Sequence, residues 1–275
     1  GRWAGAAAAR IGRRYNIPYV LHEHFTGFQR GAIFPWRRPI IQEGYRHADA
    51  IATVSTPLRD AIASEGFASS SDIDLHPNLA PTSYFHPPPT SRPAPPPVNI
   101  VTIAHLNSRK NVQGLINAFA KAPLSDPATL TIVGDGPERR RLETQTRRLG
   151  LADAVRFLGK MNRSGVRKAL WNANAFVLPS HQETFGVVIL EAMATGLPVI
   201  ATACGGPEDI VTPNTGYLVA PDDVDAIAEA LAMLQNEWIS FNPDAIRAYV
   251  YDQYGPDSFV QRTQGLYQQA LERHE

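Results

Sequence analysis

Two glutamates frame one short apolar segment in the stretch HQETFGVVILEAMATG at residues 181–196. Glu183 precedes the segment, and Glu191 lies inside it, in a predicted helix at 186–195 whose apolar residues cover the whole circumference. A helix of this kind is normally buried. Because a buried charge without a partner is expensive, the glutamates need either basic groups of the protein or a polar ligand as partners.

The order of elements around this helix predicts a ligand at its amino end. A strand at 175–179 precedes the helix, and ligands of open α/β sheets bind outside the carboxyl ends of the strands, where helix amides point at them. Gly186 lets a ligand approach the backbone closely, so the amides of residues 185–188 suit a phosphate. Glu191, more than one turn further on, is then at a distance that suits a ribose diol. If the phosphate is part of a diphosphate, Glu183 should face the opposite way from Glu191, towards the group that the diphosphate carries.

Short β-branched runs alternate with helical patterns along the chain, which indicates βαβ units and parallel sheets. Strands are predicted at 18–24, 50–55, 72–76, 99–105, 129–133, 155–158, 175–179, 198–202 and 217–220. Further helices are predicted at 2–14, 37–48, 56–66, 243–253 and 256–274. Three strands are few for a first doubly wound domain, and the sequence opens without methionine, so we expect an upstream part to be missing.

The proline-rich stretch HPPPTSRPAPPP favours neither a helix nor a strand, because proline removes an amide donor and restricts the residue before it. It predicts a linker at 87–97. The predicted organisation is a partial Rossmann-like domain at 1–86, the linker, a complete Rossmann-like domain at 98–255, and a last helix at 256–275 that returns to the first domain.

The overall composition excludes several classes of protein. Of 275 residues, 44% are hydrophobic, and 26 Lys+Arg balance 26 Asp+Glu, so nothing calls for a nucleic-acid partner. The one cysteine, Cys204, excludes an internal disulfide framework. The apolar runs fall short of the roughly 18–20 residues that a membrane-spanning helix needs.

Several segments together resemble the retaining glycosyltransferases of family 4, which have the GT-B fold: two Rossmann-like domains that face a cleft. ETFGVVILE matches the E-x7-E motif of that family. VNIVTIAHLNSRKNVQGLINAFAKA, LTIVGDGPERRRLE, VRFLGKMNRSGVRKALWNANAFVLPS and GLPVIATACGGPEDIVTPNTGYLVAPDD are similar to its donor-domain segments in the same order. ADAIATVSTPL and DLHPNLAPTSYF resemble the end of its first domain. The resemblance covers residues 15 to 235 almost continuously.

The resemblance implies transfer of a hexose from a nucleotide diphosphate sugar to an acceptor hydroxyl, with retention of configuration and with neither a metal nor another cofactor. Glu191 would bind the ribose, and Glu183 the hydroxyls of the donor sugar. Lys110 would neutralise charge on the leaving diphosphate, and His24 would lie beside the transferred sugar. The other donor contacts that the resemblance implies are His105, Arg109, Lys160, Met161, Phe185, Gly186, Val187 and Val188.

One position departs from the family. Many members have arginine five residues before the lysine, where this chain has His105, although Arg109 lies close by in AHLNSRK. We therefore expect reduced or rearranged phosphate binding, with Lys110 as the main cation of the site. Two other functions stay open: a GT-B nucleotide-sugar epimerase, and a catalytically inactive subunit that binds nucleotide sugars.

Other polar clusters have simpler interpretations. Asp223-x-Asp225 could suggest a divalent-metal site, but it directly precedes a predicted helix, where aspartates cap. The run 207–209 is typical of a helix start. The loop RGAIFPWRRP at 30–39 could lie against anionic lipid headgroups or an acceptor, although a plain exposed loop is the simpler interpretation. The resemblance implies that the acceptor is a glycan, a lipid-linked saccharide or a small molecule. We expect the protein in the cytoplasm, either free or peripherally associated with the inner face of the membrane.

Overall fold

The computed structural model describes residues 3–90, 98–124 and 127–274. Within these ranges, nine strands form two parallel sheets. The strands are β1 Val20–Glu23, β2 Ala50–Thr53, β3 Ile73–Leu75, β4 Val98–Ile103, β5 Ala128–Val133, β6 Val155–Gly159, β7 Ala175–Leu178, β8 Val199–Thr202 and β9 Gly216–Val219. All nine predicted strands are confirmed, with ends that shift by a few residues.

Eleven α-helices lie in the same ranges. They are α1 Ala4–Tyr15, α2 Arg38–Arg46, α3 Thr56–Ser64, α4 Val112–Lys121, α5 Arg139–Arg148, α6 Arg163–Trp171, α7 Val187–Ala194, α8 Pro207–Ile210, α9 Val224–Asn236, α10 Pro243–Tyr254 and α11 Pro256–His274. The predicted apolar helix around Glu191 is α7. None of the helices in the described ranges combines the length and the hydropathy that crossing a membrane requires.

Contacts divide the chain into two compact units. The first comprises Gly1–Leu79, Glu183–Phe185 and Tyr254–Glu275, and the second comprises Ala80–Gln182 and Gly186–Gln253. The chain thus passes from the first unit to the second at Leu79–Ala80, before the predicted linker at 87–97. Residues 91–97 of that linker lie outside the described ranges.

The first unit is built on the sheet β1-β2-β3, whose strands are all parallel. Strand β2 is central and fully buried. Helix α11 packs on β1 and β2, where Leu266 and Ala270 form a buried cluster with Ala50 and Ala52. The small alanines of β2 leave room for the helix to approach the sheet closely. The last helix of the chain is therefore part of the core of the first unit.

The second unit is built on a six-stranded parallel sheet with the order β6-β5-β4-β7-β8-β9. Its core contains the buried aliphatic residues of the strands together with those of α4 and α9. The strand order reverses between β4 and β7, because β4 pairs with β5 on one side and with β7 on the other. Such a reversal is the usual place for a ligand crevice in an open α/β sheet.

Stacked side chains bind the segment after Leu79 to helix α6 of the second unit. The guanidinium of Arg167 lies 4.6 Å from the ring centre of Tyr84 and donates to the Tyr84 carbonyl oxygen at 3.1 Å. The indole Nε1 of Trp171 donates to the carbonyl oxygen of His86 at 2.6 Å. These contacts explain why the second unit begins before the proline-rich stretch.

Candidate functional site

The loop after β4 carries three of the predicted site residues. Lys110 ends a 3-10 turn, Ser108–Lys110, and is half-buried, whereas His105 and Arg109 are exposed. The carbonyl oxygen of Arg109 accepts a hydrogen bond from the amide of His181 at 2.8 Å. Since His181 follows β7, this bond joins the loops on both sides of the point where the strand order reverses.

Hydrogen bonds to the loop after β5 hold the β4 loop in place. The amide of Ala104 donates to Val133 O at 3.0 Å, and that of Leu106 donates to Asp135 O at 2.9 Å. At Gly134, φ is +135°, and a Cβ at that position would overlap the carbonyl oxygen of Ala104. The glycine of the GDGP turn is therefore required by packing, and it helps to fix the loop that carries Lys110.

Helix α7 begins at the residue that the sequence predicts to border a phosphate. Gly186 is its N-cap, with φ 107° and ψ 51°, a left-handed conformation that favours glycine. The carbonyl oxygen of Gly186 accepts from the amide of Ile189 at 2.9 Å. The amides of Val187 and Val188 belong to the first turn, where helix geometry provides no acceptor within the helix. Val187 is exposed and Val188 half-buried, so this turn offers donors to an anion.

Glu191 is the one charged residue on a helix that is otherwise apolar. Its neighbours Leu190, Ala192 and Met193 are fully buried, and Glu191 itself is half-buried. Burial raises the pKa of its carboxyl group, and the charge of Arg163 lowers it in part. The carboxylate makes no hydrogen bond or ion pair to any residue that the structure describes. This leaves its oxygens available to a ligand.

Arg163 is a neighbour of the site that the sequence interpretation missed. It opens α6 directly after the predicted base-contacting residues Lys160 and Met161, of which Lys160 is exposed and Met161 half-buried. Its guanidinium lies 4.6 Å from the ring centre of Tyr84 and 5.5 Å from that of Phe85. The sequence signal was the position of Arg163 at the start of the helix that follows β6. Its ring partners are too distant in sequence to be inferred.

The segment Glu183–Phe185 is held by the first unit. Ser55 Oγ donates to the carbonyl oxygen of Thr184 at 2.7 Å, and Thr184 Oγ1 donates to Thr26 Oγ1 at 2.9 Å. The ring of Phe185 lies 5.9 Å from that of Tyr254, and it is buried. The two glutamates of the motif therefore have different supports: the first unit positions Glu183, and α7 of the second unit positions Glu191.

His24 belongs to a cluster of histidines in the first unit. Its ring centre lies 4.3 Å from that of His22, which in turn lies 4.8 Å from that of His76. The turn that presents His24 is fixed by buried Glu23, whose Oε1 accepts from the amides of His24 and Phe25, both at 2.9 Å. His24 is exposed, and partial desolvation lowers the pKa of its ring. His22 and His76 were not predicted, although alternation in LHEH places His22 and His24 on one face.

We expect this cluster to weaken the protein in acid. Burial, and then the neighbouring His24 and His76, lower the pKa of His22 from 6.5 to about 4. The unfolded chain therefore binds more protons between these values, so the free energy of unfolding falls as the pH drops from 6.5 towards 4. Because the ring is only partly buried, we expect a loss of about 2 kcal/mol.

A comparison of urea unfolding in His22→Gln and in the wild type checks this prediction. The glutamine amide can still donate to the His76 carbonyl oxygen, which lies 3.0 Å from His22 Nε2, but it does not titrate. The free energy of unfolding of the variant should depend less on pH in this window. Equal pH dependence in the two proteins would show that His22 does not carry the effect.

The simpler interpretation of the aspartates near α9 is confirmed. The side chain of Asp223 accepts from the amide of Ala226 at 2.8 Å and so caps the helix. Asp225 pairs with Lys121 at 2.7 Å. The run 207–209 does open a helix, α8, where Glu208 Oε1 accepts from the amide of Gly205 at 3.0 Å. Asp223 and Glu208 thus bond to nearby backbone amides, and Asp225 pairs with a lysine of α4 in the same unit.

Comparison with known proteins agrees with this architecture. The profile of the family "Glycosyl transferases group 1" matches residues 90–249, and that of "Glycosyl transferase 4-like domain" matches residues 1–78. The chain is 35% identical over 175 residues to N-acetyl-alpha-D-glucosaminyl L-malate synthase of Bacillus anthracis, an alignment that covers 62% of this chain and 45% of that protein. It is 30% identical over 232 residues to glycogen synthase of Mycobacterium tuberculosis, covering 82% of this chain and 56% of that protein.

Solved structures show the same fold. Anabaena HepE in complex with UDP superposes with a TM-score of 0.85 at 20% identity, over 98% of this chain and 77% of that chain. Sucrose-phosphate synthase of Thermosynechococcus elongatus superposes with a TM-score of 0.82 at 26% identity, over 98% and 72%.

The protein has the GT-B fold. It contains two parallel Rossmann-like sheets, and the amino end of a helix lies beside the point where the strand order of the second sheet reverses. The chain belongs to the group 1 glycosyltransferase family. It spans about half the length of these two curated relatives.

Proposed function

We propose that the protein transfers a hexose from a nucleoside diphosphate sugar to an acceptor hydroxyl, with retention of configuration at the anomeric carbon. The observation that carries this proposal is Glu191: a half-buried carboxylate on an apolar helix, without a hydrogen-bond or ion-pair partner among the described residues. A ribose diol supplies two donors for such a group. UDP, which is bound to Anabaena HepE, is a ligand of this kind.

The diphosphate would bind at the amino end of α7, beside the loop after β4. The first-turn amides of Val187 and Val188, with Gly186 as the N-cap, suit phosphate oxygens. Lys110 would supply the positive charge that stabilises the leaving group. His105 and Arg109 are both exposed on the same loop, so Arg109 can take over part of the role that an arginine at position 105 has in many members of the family.

The other proposed contacts lie at the base and at the transferred sugar. Lys160 and Met161 follow β6 at the carboxyl edge of the sheet, where backbone groups would meet the edge of the base. Glu183 would accept hydrogen bonds from hydroxyls of the donor sugar. His24, whose pKa is lowered by desolvation, would also contact that sugar.

The reaction would proceed by front-face attack. The bond between the anomeric carbon and the diphosphate oxygen breaks, and the acceptor oxygen bonds to the same face of that carbon. The acceptor proton passes to an oxygen of the departing diphosphate. No cofactor is needed for this balance, and Lys110 and the helix amides would stabilise the charge that builds on the leaving group.

The acceptor is proposed to be a hydroxyl of a glycan or of a lipid-linked saccharide, and the location the cytoplasm. The names of aligned relatives support both acceptor classes. They include glycogen synthase of Mycobacterium tuberculosis and a phosphatidylinositol N-acetylglucosaminyltransferase subunit of Arabidopsis thaliana, which is 29% identical over 261 residues. A lipid-linked acceptor would place the protein at the inner membrane face.

This function is tested by incubating the whole protein that contains this chain with a panel of nucleotide sugars and measuring the release of nucleoside diphosphate. We expect release with at least one donor, a product whose anomeric configuration by NMR equals that of the donor, and loss of release in Glu183→Ala. Release that Glu183→Ala leaves unchanged would contradict the proposed site. An inverted product would contradict retention, and binding without release would favour an inactive sugar-nucleotide-binding subunit. Conversion of the sugar while it stays on the nucleotide would favour an epimerase.

A further inference from the structure

Positive charge is concentrated at the beginning of the chain. Residues 1–48 contain eight arginines and only two glutamates, in a chain whose formal net charge is zero. One of the two glutamates, Glu23, is buried and bonded to backbone amides. The surface of this segment is therefore more basic than the composition of the whole chain suggests.

Residues 30–37 form an exposed turn with two aromatic rings, which we call the aromatic tip. Phe34 is 53% exposed and Trp36 is 62% exposed. Their rings are nearly parallel, at 20°, with centres 6.3 Å apart. The 3-10 turn Pro35–Arg37 and the start of α2 at Arg38 fix the backbone here. Two large aromatic side chains are thus presented to the outside on a turn with two prolines nearby.

The guanidinium of Arg37 lies against both rings. Its carbon is 4.3 Å from the ring centre of Trp36 and 5.0 Å from that of Phe34. Nε of Arg37 is buried and has no hydrogen-bond partner within the described part of the chain. Both cation–π contacts orient the guanidinium, but neither neutralises its charge.

Three arginines near the aromatic tip are held in ion pairs, whereas those of the tip are not. Arg10 and Arg13 pair with Glu43 at 3.1 and 2.8 Å, and Arg38 pairs with Glu65 at 2.6 Å. Arg30 and Arg37, by contrast, form no ion pair with any residue in the described ranges. Arg14 and Arg46 of the first unit are likewise unpaired within the described ranges, but only Arg37 stacks on the two rings of the aromatic tip. The tip therefore combines unpaired cations with two exposed aromatic rings.

We propose that the aromatic tip, residues 30–37, docks the protein on the surface of an anionic lipid membrane. Tryptophan and other amphipathic rings favour the headgroup region of a bilayer, and juxtaposed arginines are attracted to anionic lipid. The combination of projecting aromatic rings with unpaired cations fits a membrane better than a soluble polyanion, since a polyanion needs the charge but not the apolar rings. This inference does not depend on the proposed transfer reaction.

Sedimentation with vesicles tests the proposal, with the whole protein and without any donor sugar. We expect binding to vesicles of phosphatidylcholine with phosphatidylglycerol, little binding to phosphatidylcholine alone, and release at high salt. Arg30→Ala and Arg37→Ala should each lower the partition coefficient about fivefold. The double variant Phe34→Ala with Trp36→Ala should lower it about tenfold or more.

Control variants outside the aromatic tip show whether the loss of vesicle binding is specific to the tip or follows from removing any exposed arginine or aromatic ring. Arg148→Ala removes an exposed arginine of α5, and Tyr267→Ala removes a ring of α11 that is 58% exposed; neither should change binding appreciably. Thermal unfolding shows whether each variant is folded. Absence of binding to anionic vesicles overturns the proposal, as does equal loss in the tip and the control variants. Displacement from the vesicles by a soluble anionic polysaccharide, with equal losses of polysaccharide binding in the tip variants, would assign the tip to a glycan instead.

Discussion

Replacement of Lys110 by alanine is expected to lower kcat for donor turnover by about 10²- to 10³-fold, the usual effect of removing one preorganised group that stabilises transition-state charge. Lys110 is half-buried at the end of the turn Ser108–Lys110, in a loop that hydrogen bonds to the loops after β5 and β7 hold in place. Because these bonds hold the backbone that carries Lys110, the loop needs little reorganisation as charge moves onto the leaving diphosphate. Steady-state kinetics with a productive donor measures the effect.

Lys168→Ala is the matched control for Lys110→Ala. Lys168 is an exposed lysine of α6 in the same unit, so its removal makes the same change of charge away from the proposed phosphate site. Arg109→Ala should lower kcat less than Lys110→Ala does and more than Lys168→Ala does. The side chain of Arg109 is exposed, and the hydrogen bond that holds this residue is made by its backbone carbonyl oxygen. If Lys110→Ala turns over as fast as Lys168→Ala does, Lys110 has no role in the leaving-group step.

Replacement of Glu191 by glutamine is expected to weaken nucleoside diphosphate binding about 10- to 100-fold, because the change removes charge-assisted hydrogen bonds to the ribose. The same change should raise the melting temperature of the free protein. Burial raises the pKa of Glu191, so the folded protein carries an unfavourable charge once the pH exceeds that raised value. Stability is therefore lost as pH rises through the raised pKa, and glutamine removes this loss.

Calorimetric titration and thermal unfolding of Glu191→Gln give the two results separately. Glu229→Gln is the control, since Glu229 is an exposed glutamate of α9 in the same unit. A variant at 191 with weaker binding and a lower melting temperature would mean that Glu191 supports the fold. Unchanged binding would mean that the ribose lies elsewhere.

The sequence alone was sufficient to predict the helices, the strands and the residues that cap them. Period-2 and period-3.6 patterns placed the strands and helices, and the apolar run with a single carboxylate identified α7 and its glycine N-cap. The capping role of Asp223 followed from its position before α9. These features depend on residues within one or two turns of each other, which is the range over which sequence patterns are informative.

Contacts between residues far apart in the sequence could not be predicted from sequence patterns. Which unit holds Glu183 depends on the hydrogen bonds that Thr184 accepts from Ser55 and donates to Thr26, both far away along the chain. The contact of Arg163 with Tyr84 depends on how the segment after Leu79 folds onto α6. Such contacts are selected by packing of the whole unit, so single-residue preferences carry no signal for them.

A crystal structure of the protein with a bound nucleoside diphosphate, such as UDP, would show whether Glu191 and the amino end of α7 form the nucleotide site. We expect the ribose hydroxyls within hydrogen-bond distance of the Glu191 carboxylate, and phosphate oxygens at the amides of Val187 and Val188. A nucleotide bound elsewhere, with Glu191 paired to Arg163 instead, would contradict it.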